Sequence, residues 1–362
     1  MKAMRILALA PVAAIALAGC GGSTGNTGGS GSGSGTASGS QTAASGDCSS
    51  KDVLCVGLVT DTGKVDDKSF NQAAWEGVEK AKADLGAQTK YIETTDQKDY
   101  ASNIKQFTDA KYDVIVTVGF LMADATVQAA KQYPDTKFIG VDQFVDTTKV
   151  TSPNITGLVF PEDKAGYAVG YLAGLLTKTN KIGAVNGQEI PPVQKYFKGY
   201  EAGAKAANPK VTVTGVYHPA GTTAFSDPVW GAGEAKKQLA QGVDIIFGIG
   251  GGTGNGALGE VAKTAGAGDK LFCIGVDQDQ YNTLPAARPC LVTSAEKLIT
   301  KGVSDMLKQA KDGSLKAGNF DGDTGISDFH DLASKVPADV QTKVKDIVAK
   351  LTDGSLQTGV KL

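Results

Sequence analysis

The pentapeptide Ile-Gly-Val-Asp-Gln occurs twice in this chain, at 139–143 and at 274–278. Each copy ends an apolar run, which is typical of a buried parallel strand that carries a carboxylate to its C-terminal end. Asp142 and Asp277 would then lie outside the carboxyl ends of two strands, where open α/β sheets bind ligands. A close pair such as Asp277 and Asp279 could also perform glycosidic chemistry, so an enzyme remains one alternative.

A second candidate region, 58–77, follows the first predicted strand. Asp61 stands in the turn that ends this strand, and Phe70 and Asn71 fall in the first turn of the next helix. A ring and an amide in this place can face a cleft. Phe70 suits a core contact equally well, and Asp61 and Asn71 suit capping or turn formation, so both interpretations remain open.

The glycine-rich stretch 247–256 follows a predicted strand and opens a helix, which is also the layout of a phosphate-binding turn. It lacks both the later acidic residue of a dinucleotide site and the Lys-Ser or Lys-Thr of a P-loop. We interpret it as close backbone packing, with a plain tight turn as the alternative. His218 and His330 are the only histidines, so the sequence gives little support for a Ser-His-Asp site or a metal site.

Short apolar strands alternate with amphipathic helices from residue 53 onward. The strands are rich in Val and Ile, which indicates parallel sheets covered on both faces. The predicted strands are 53–60, 113–119, 137–142, 155–160, 181–186, 212–217, 244–250, 272–277 and 291–294. Helical patterns cover 70–81, 167–176 and 336–351. The repeated pentapeptide favours an α/β fold of two similar lobes, although five matching residues can arise by chance.

The N-terminal segment has the layout of a secretory signal, with Lys2 and Arg5 before an apolar stretch and Leu-Ala-Gly before Cys20. We expect residues 1–20 to be a lipoprotein signal peptide and Cys20 to be lipidated, with an ordinary signal peptide as the alternative. Residues 21–52, rich in Gly, Ser and Thr, are predicted to be a flexible tether. The predicted location is therefore extracytoplasmic, with a lipid anchor in a bacterial cell membrane.

The charge of the chain bears on whether it could bind nucleic acid. Without Lys2 and Arg5 the chain has 34 basic and 38 acidic residues and no basic run, which argues against nucleic-acid binding.

Apart from Cys20, four cysteines remain, an even number that suggests disulfides in an exported protein. Two short-range pairs, Cys48 with Cys55 and Cys273 with Cys290, are the simplest of three connectivities, and four free thiols are the alternative.

Residues 66–77 resemble the opening signature of the basic membrane protein family, the exported substrate-binding lipoproteins of ABC importers. Further blocks resemble the same family in the same order. They lie at 118–124, 139–142, 178–183, 190–191, 199–203, 251–256, 274–281 and 293–297. The resemblance covers nearly all of 54–300. It implies a type I periplasmic-binding-protein fold, in which a hinge of crossing strands joins two doubly wound parallel-sheet lobes.

The resemblance also implies a ligand and a site. In nucleoside-binding members a purine nucleoside lies between two aromatic rings, and the matching positions here are Phe70 and Tyr196. The family usually has Phe at the second position, so Tyr196 is a departure, and Phe197 leaves the alignment open by one residue. The polar positions implied for the base are Asp61, Asn71 and Asp124. Those implied for the ribose are Asp277, Lys297 and a backbone group of Gly252.

Three of these residues have plainer interpretations. Asp124 suits an ordinary helix N-cap, and Lys297 taken alone suits a solvated surface position. Asp142 matches the family's sequence, but we assign it no ligand and expect only a strand-end or hinge hydrogen bond. By contrast, a carboxylate at Asp277 can accept hydrogen bonds from two vicinal ribose hydroxyls, and the Lys297 ammonium can hold that carboxylate ionised.

We therefore predict a monomeric solute-binding lipoprotein, not an enzyme, which needs no cofactor and delivers a purine nucleoside to an ABC permease. The first lobe is expected to hold 53–157 and about 290–320, and the second 158–289. The C-terminal segment 320–362 is expected to pack on the lobes. The alternatives are a sugar or autoinducer-like ligand in the same fold, a nucleoside hydrolase, and an adhesion or structural lipoprotein.

Overall fold

The computed structural model describes Cys48 and residues 53–362. The predicted signal peptide, Cys20 and the tether apart from Cys48 lie outside the described residues. Among the helices of the described residues, none combines the length and the apolar character needed for a membrane span.

Twelve strands and ten α-helices make up the described chain. The strands are β1 (Cys55–Thr62), β2 (Gln88–Thr94), β3 (Val114–Val118), β4 (Lys137–Val141), β5 (Ile155–Val159), β6 (Lys181–Asn186), β7 (Thr212–Tyr217), β8 (Ile245–Ile249), β9 (Phe272–Asp277), β10 (Leu291–Lys297), β11 (Gly318–Asp321) and β12 (Thr324–Ile326). The helices are α1 (Phe70–Leu85), α2 (Tyr100–Asp109), α3 (Ala123–Gln132), α4 (Glu162–Leu176), α5 (Pro191–Ala207), α6 (Pro228–Ala240), α7 (Gly251–Lys263), α8 (Gln280–Thr283), α9 (Ile299–Lys311) and α10 (Ala338–Thr352).

The strands form two six-stranded sheets, and each sheet is the centre of one lobe. The first sheet has the order β11-β5-β4-β3-β1-β2, and the second has the order β12-β10-β9-β8-β6-β7. All neighbouring strands are parallel except β10 and β12. The central strands are buried along their whole length, which explains their near-continuous apolar sequences. The expected two-lobed α/β fold is confirmed.

All nine predicted strands are present, and three further strands were not predicted. The edge strand β2 reads Gln-Thr-Lys-Tyr-Ile-Glu-Thr and is only half-buried, so it lacks the apolar run that marks its neighbours. The short strands β11 and β12 lie at the other edges of the two sheets. Edge strands need fewer apolar side chains, and for this reason their sequences give a weak signal.

The chain crosses between the sheets after β5, after β10 and after β11. The structure differs here from the expected boundary near residue 290, because β10 pairs with β9 in the second sheet. The apolar residues Val292 and Ala295 of β10 pack in the core of the second lobe. The chain rejoins the first lobe only at α9, where Val303 packs closely against Gly77 of α1.

The C-terminal segment packs mainly on the second lobe. Helix α10 lies against α4 and buries Val340, Val344 and Leu351.

The described residues contain two disulfides. Cys48 is joined to Cys55 and Cys273 to Cys290, with Cα–Cα distances of 5.7 and 5.1 Å. This is the short-range connectivity among the three that the sequence left open.

Candidate functional site

A cavity lies between the two lobes, and its walls include the residues that end strands of both sheets. Its volume is ≈ 60 Å³. Cavities that hold drug-sized ligands measure ~300–1,000 Å³, so this cavity is smaller than such a ligand requires. The lining residues are Asp61, Asp67, Phe70, Asn71, Gly119, Phe120, Asp142, Ile190, Pro192, Val193, Tyr196, Phe225, Ile249, Gly250, Gly251, Val276, Asp277 and Lys297.

Phe70 and Tyr196 bring one aromatic ring from each lobe to the cavity. Phe70 is the first residue of α1, and Tyr196 lies in the second turn of α5. The Lys297 Nζ atom lies 4.7 Å from the centroid of the Phe70 ring and 5.5 Å from that of the Tyr196 ring. Both distances are within the range of a cation–π contact. The two rings predicted for the sandwich therefore line the same cavity, with an ammonium group close to each.

The hydroxyl of Tyr196 is directed into its own lobe. It donates a hydrogen bond to the Ala295 carbonyl oxygen at 3.3 Å. Burial, assisted by the charge of Asp277, raises the pKa of Tyr196, so the phenol remains protonated. The neighbouring Phe197 does not line the cavity and packs edge-on against Tyr217, with ring centroids 6.0 Å apart. The cavity-facing aromatic residue is therefore Tyr196, and its extra hydroxyl contacts β10.

Lys297 is the centre of a buried charge cluster. Its side chain is only 3% exposed, and its Nζ atom lies 2.6 Å from Asp142, 3.7 Å from Asp277 and 3.8 Å from Glu162. Desolvation alone would lower the pKa of Lys297, but Asp142 and Asp277 outweigh it and raise the pKa. Lys297 is therefore not the solvated surface lysine of the plainer interpretation, and it stays charged because carboxylates surround it.

Asp142 and Asp277 reach this cluster through the same local backbone geometry. Their φ angles are 60° and 69°, in the left-handed region that few non-glycine residues adopt. In each copy of the pentapeptide the chain turns sharply at the aspartate and directs its carboxylate towards Lys297. Asp142 therefore does more than hold its strand end: it lines the cavity and forms the shortest ion pair of the cluster, between the two lobes.

The carboxylate of Asp277 has a second partner, and that partner comes from the other lobe. Ser69, just before α1, donates from Oγ to Asp277 Oδ2 at 2.7 Å. Burial raises the pKa of Asp277, and the charge of Lys297 and the Ser69 hydrogen bond oppose this shift. One oxygen of Asp277 thus bonds Ser69, while the other faces Lys297.

Asp61 and Asp67 add two carboxyl groups to the wall formed by the first lobe. Burial is the main cause that raises the pKa of Asp61, and the nearby charges of Asp67 and Asp142 raise it further. Burial also raises the pKa of Asp67 to about 7, although this carboxyl accepts hydrogen bonds from backbone N–H groups of α1, including that of Asn71 at 2.9 Å. Asp67 therefore caps α1 and faces the cavity.

Two buried oxygen atoms in the cavity wall have no hydrogen-bond partner within the described residues. They are Asn71 Oδ1 and Asp142 Oδ1. A buried acceptor without a donor costs free energy, so such groups usually mark the place of a water molecule or a ligand. Both atoms are acceptors, and the wall therefore suits a ligand that carries hydrogen-bond donors.

The glycine-rich turn contributes Gly250 and Gly251 to the cavity. Gly250 has φ 131°, and a side chain there would collide with the backbone of Gly187. Gly252, the predicted contact, lies one residue beyond these two and does not line the cavity. Asp124 also lies away from the cavity, because it is exposed in the first turn of α3 beside a separate surface depression.

Several lining residues were not predicted as contacts. Asp67 lies inside the signature that contains Phe70 and Asn71, and Phe120 and Ile190 lie inside other blocks of the family resemblance, so a signal was present in the sequence. Glu162 follows Pro161 at the first crossing between the lobes. No motif marks this residue, because only the tertiary fold brings it to Lys297.

A larger cavity of ≈ 670 Å³ lies beside the crossings between the lobes. Its lining includes Phe144, Phe160, Lys195, Asp321 and residues of α10. It shares no lining residue with the interlobe cavity, and none of the residues that the family resemblance implied for the ligand lines it. The smaller cavity therefore remains the candidate site.

Neither histidine lines the interlobe cavity. His218 lies beside Pro219 and Asp227, and the Nε2 atom of His330 is 2.9 Å from Asp279. Within Cys48 and 53–362, no group of three or more His, Cys, Asp or Glu side chains is arranged to hold a metal ion.

The model of a protein family described as "ABC transporter substrate-binding protein PnrA-like" matches residues 55–347. The chain belongs to this family. The family consists of substrate-binding proteins of ABC transport and not of enzymes, as predicted. The resemblance to basic membrane proteins is also confirmed, since relatives of this PnrA-like protein carry that name.

Three relatives and one solved structure show the extent of the similarity. The CD4+ T-cell-stimulating antigen of Listeria monocytogenes is 34% identical, covering 86% of this chain and 90% of the relative. The ABC transporter nucleoside-binding protein BmpA of Lactococcus lactis is 31% identical over 79% of this chain and 87% of the relative. Basic membrane protein A of Borreliella burgdorferi is 34% identical over 74% of each chain. A solute-binding protein of an ABC transporter system from Aeropyrum pernix shares the fold, with a TM-score of 0.75, 24% identity and coverage of 84% and 92%.

Proposed function

We propose that this PnrA-like protein binds a purine nucleoside between its lobes and delivers it to an ABC permease. In this proposal the protein works as a monomer outside the cytoplasmic membrane, anchored by a lipid on Cys20. One observation carries the choice of ligand: Phe70 and Tyr196, one from each lobe, line a cavity that also holds Asp277 and Lys297. A flat base suits the rings, and a ribose suits the charged groups.

The polar groups of the wall support a neutral ligand with several hydrogen-bond donors. Asp277 offers a carboxylate to the ribose hydroxyls, and the unpartnered oxygens of Asn71 and Asp142 can accept from the base or from the ribose. The Asp142 oxygen is an addition to the contacts that the sequence implied. Stacking on aromatic side chains contributes roughly 1–3 kcal/mol per base in nucleic-acid complexes, so two rings could supply much of the affinity.

The charge of the cavity argues against nucleotides. Asp61, Asp67, Asp142 and Asp277 line it, and Lys297 is the only basic residue among the lining residues that the structure describes. A phosphate group would approach several carboxyl groups and a single, already paired ammonium. We therefore expect nucleosides to bind much more tightly than the corresponding monophosphates. The Lactococcus lactis relative is named a nucleoside-binding protein, which supports the same ligand class.

A thermal-shift screen with mass spectrometry tests the proposal. Ligand that co-purifies with the full chain is released by denaturation and identified, and the protein is then screened with adenosine, guanosine, inosine, adenosine monophosphate, galactose and arabinose. A nucleoside at 100 times its dissociation constant should stabilise the protein by ~2.7 kcal/mol. Shifts with sugars but not with nucleosides would overturn the proposal in favour of a sugar receptor, and release of free base from a nucleoside would favour a hydrolase.

A matched pair of variants links any shift to the cavity. Phe70→Ala removes a ring from the cavity wall and should weaken nucleoside binding strongly. Phe144→Ala removes a phenylalanine that is 71% exposed and lies outside this cavity, so it should leave nucleoside binding unchanged. Equal binding by the two variants would contradict the aromatic sandwich.

A further inference from the structure

The turn formed by Asp67, Lys68 and Ser69, called here the latch turn, joins β1 to α1 and extends into the second lobe. Lys68 has φ 62°, a strained value for a lysine, and its side chain is 44% exposed beside Asp66. Ser69 is fully buried. The exposed Lys68 side chain does not explain the strained backbone, so the reason must lie in what the backbone contacts.

The three consecutive carbonyl oxygens of the latch turn all accept hydrogen bonds from side chains of the second lobe. The donors are Asn255 Nδ2 to Asp67 at 2.7 Å, Gln280 Nε2 and Thr283 Oγ1 to Lys68 at 3.0 Å each, and Gln278 Nε2 to Ser69 at 3.1 Å. Four side chains, from α7, from α8 and from the residue that follows β9, thus hold one short turn of the first lobe.

The second lobe holds the central donor in place by its own contacts. Gln280 is fully buried, its Oε1 atom accepts from the Val276 N–H at 3.0 Å, and its own N–H donates to Ser294 Oγ at 3.1 Å. Its Nε2 atom also donates to Asn255 Oδ1 at 2.7 Å. The receiving surface is therefore built within the second lobe, and closure adds the latch turn to it.

The latch turn also reaches the charge cluster. The Ser69 hydroxyl donates to Asp277 Oδ2, so closure fixes the orientation of this carboxylate and leaves its other oxygen towards Lys297 and the cavity. We propose that the latch turn is an interlobe latch, which holds the cleft closed through hydrogen bonds to the second lobe and positions Asp277 through Ser69. Closure by the latch does not depend on the identity of the ligand, whereas the positioning of Asp277 rests on the proposed nucleoside function.

Distances between spin labels test closure without any ligand. Labels at Lys131→Cys in the first lobe and Lys236→Cys in the second, both exposed, report the separation of the lobes. Thr283→Val and Gln278→Ala each remove one latch donor, and neither residue lines the cavity. Thr264→Val is the matched control, because its hydroxyl bonds the Glu260 carbonyl oxygen within the second lobe.

We expect a larger open fraction in the Thr283→Val and Gln278→Ala proteins than in the wild type and in Thr264→Val. Nucleoside affinity should fall roughly 2- to 10-fold for each lost hydrogen bond. Two results would overturn the latch: distance distributions that are the same in all four proteins, or an equal shift in the control. Neither result depends on nucleoside binding, so failure of the proposed ligand would be recognised separately.

Ser69→Ala tests the positioning of Asp277. Its readout is the ratio of the affinities for adenosine and for 2′,3′-dideoxyadenosine, which lacks both ribose hydroxyls. Opening of the cleft lowers the affinity for both ligands by the same factor, so Thr283→Val should preserve this ratio. Ser69→Ala should reduce it, and an unchanged ratio in Ser69→Ala would show that Ser69 does not position Asp277.

Discussion

The two copies of Ile-Gly-Val-Asp-Gln differ less in their backbone than in what their side chains contact. Both aspartates are buried, adopt left-handed φ angles and face Lys297. The next residues diverge. Gln143 turns back into its own lobe and donates to the Thr117 and Gly119 carbonyl oxygens, whereas Gln278 donates across the cleft to Ser69. The repeat therefore specifies the backbone of a strand end. The surrounding elements determine whether its glutamine forms hydrogen bonds within its own lobe or with the other lobe.

The two aspartates also differ in their bonding partners. Asp142 forms the short ion pair with Lys297 and keeps one oxygen without a partner among the described residues. Asp277 is farther from Lys297 and bonds Ser69 of the other lobe. One copy therefore contributes mainly to charge pairing, and the other links closure to the site.

Removal of the shared lysine should have the largest effect. Lys297→Met leaves the buried Asp142 and Asp277 without their ammonium, and Glu162 then pairs only with Lys195, so we expect the free energy of unfolding to fall by ~3–5 kcal/mol. Urea denaturation measures this loss. Lys301→Met, which breaks only exposed ion pairs, is the control and should cost much less, because such pairs contribute little to stability. Similar losses in the two variants would show that the cluster does not depend on Lys297.

The third carboxyl group of the cluster should make stability depend on pH. Burial raises the pKa of Glu162 to about 7 from 4.5, so the folded state binds its proton more tightly than the unfolded state does. The resulting stabilisation is complete below pH 4.5 and is lost as the pH rises towards 7. The change amounts to roughly 3 kcal/mol.

Glu162→Gln carries no titratable proton and should therefore lose less stability than the wild type between pH 4.5 and 7.5. Denaturant unfolding at the two pH values measures the difference. Glu260→Gln, a substitution on α7 away from the cluster, should keep the wild-type dependence. If Glu162→Gln also kept the wild-type dependence of stability on pH, the assignment of a raised pKa to Glu162 would be wrong.

The smallest of these effects separates the two aspartates. Asp142→Asn weakens a charge-assisted hydrogen bond at 2.6 Å and should lower the free energy of unfolding by ~1–3 kcal/mol. Asp277→Asn should cost less, because burial already raises the pKa of Asp277 and an amide carries no charge to desolvate. Thermal and denaturant unfolding of both variants give the order, and the reverse order would contradict the assignment of roles.

Much of the fold could be predicted from the sequence, because the central strands are buried on both faces and read as apolar runs. The polar edge strand β2 and the short strands β11 and β12 could not, since little of their sequence is dictated by burial. The boundary between the lobes was misplaced near residue 290 because β10 and the strands of either sheet share the same apolar pattern. Only its pairing with β9 assigns it to the second lobe.

The cavity lining could be predicted in part. Asp61, Phe70, Asn71, Tyr196, Asp277 and Lys297 line one cavity, whereas Asp124 and Gly252 do not line it. The ligand contacts of these residues stay predictions. Glu162, the unpartnered oxygen of Asp142 and the latch turn depend on contacts between residues far apart in the chain. Such contacts leave no local pattern, so the sequence alone gave no sign of them.

Titration calorimetry of wild type and Asp277→Asn with adenosine and with 2′,3′-dideoxyadenosine tests the central claim most directly. A hydrogen bond to a charged group contributes ~1.5–3 kcal/mol, so wild type should bind adenosine at least about tenfold more tightly than the dideoxynucleoside. Asp277→Asn should stay folded, as judged by circular dichroism, and should lose most of this preference. An unchanged preference in Asp277→Asn, or no nucleoside binding by the wild type, would contradict the account.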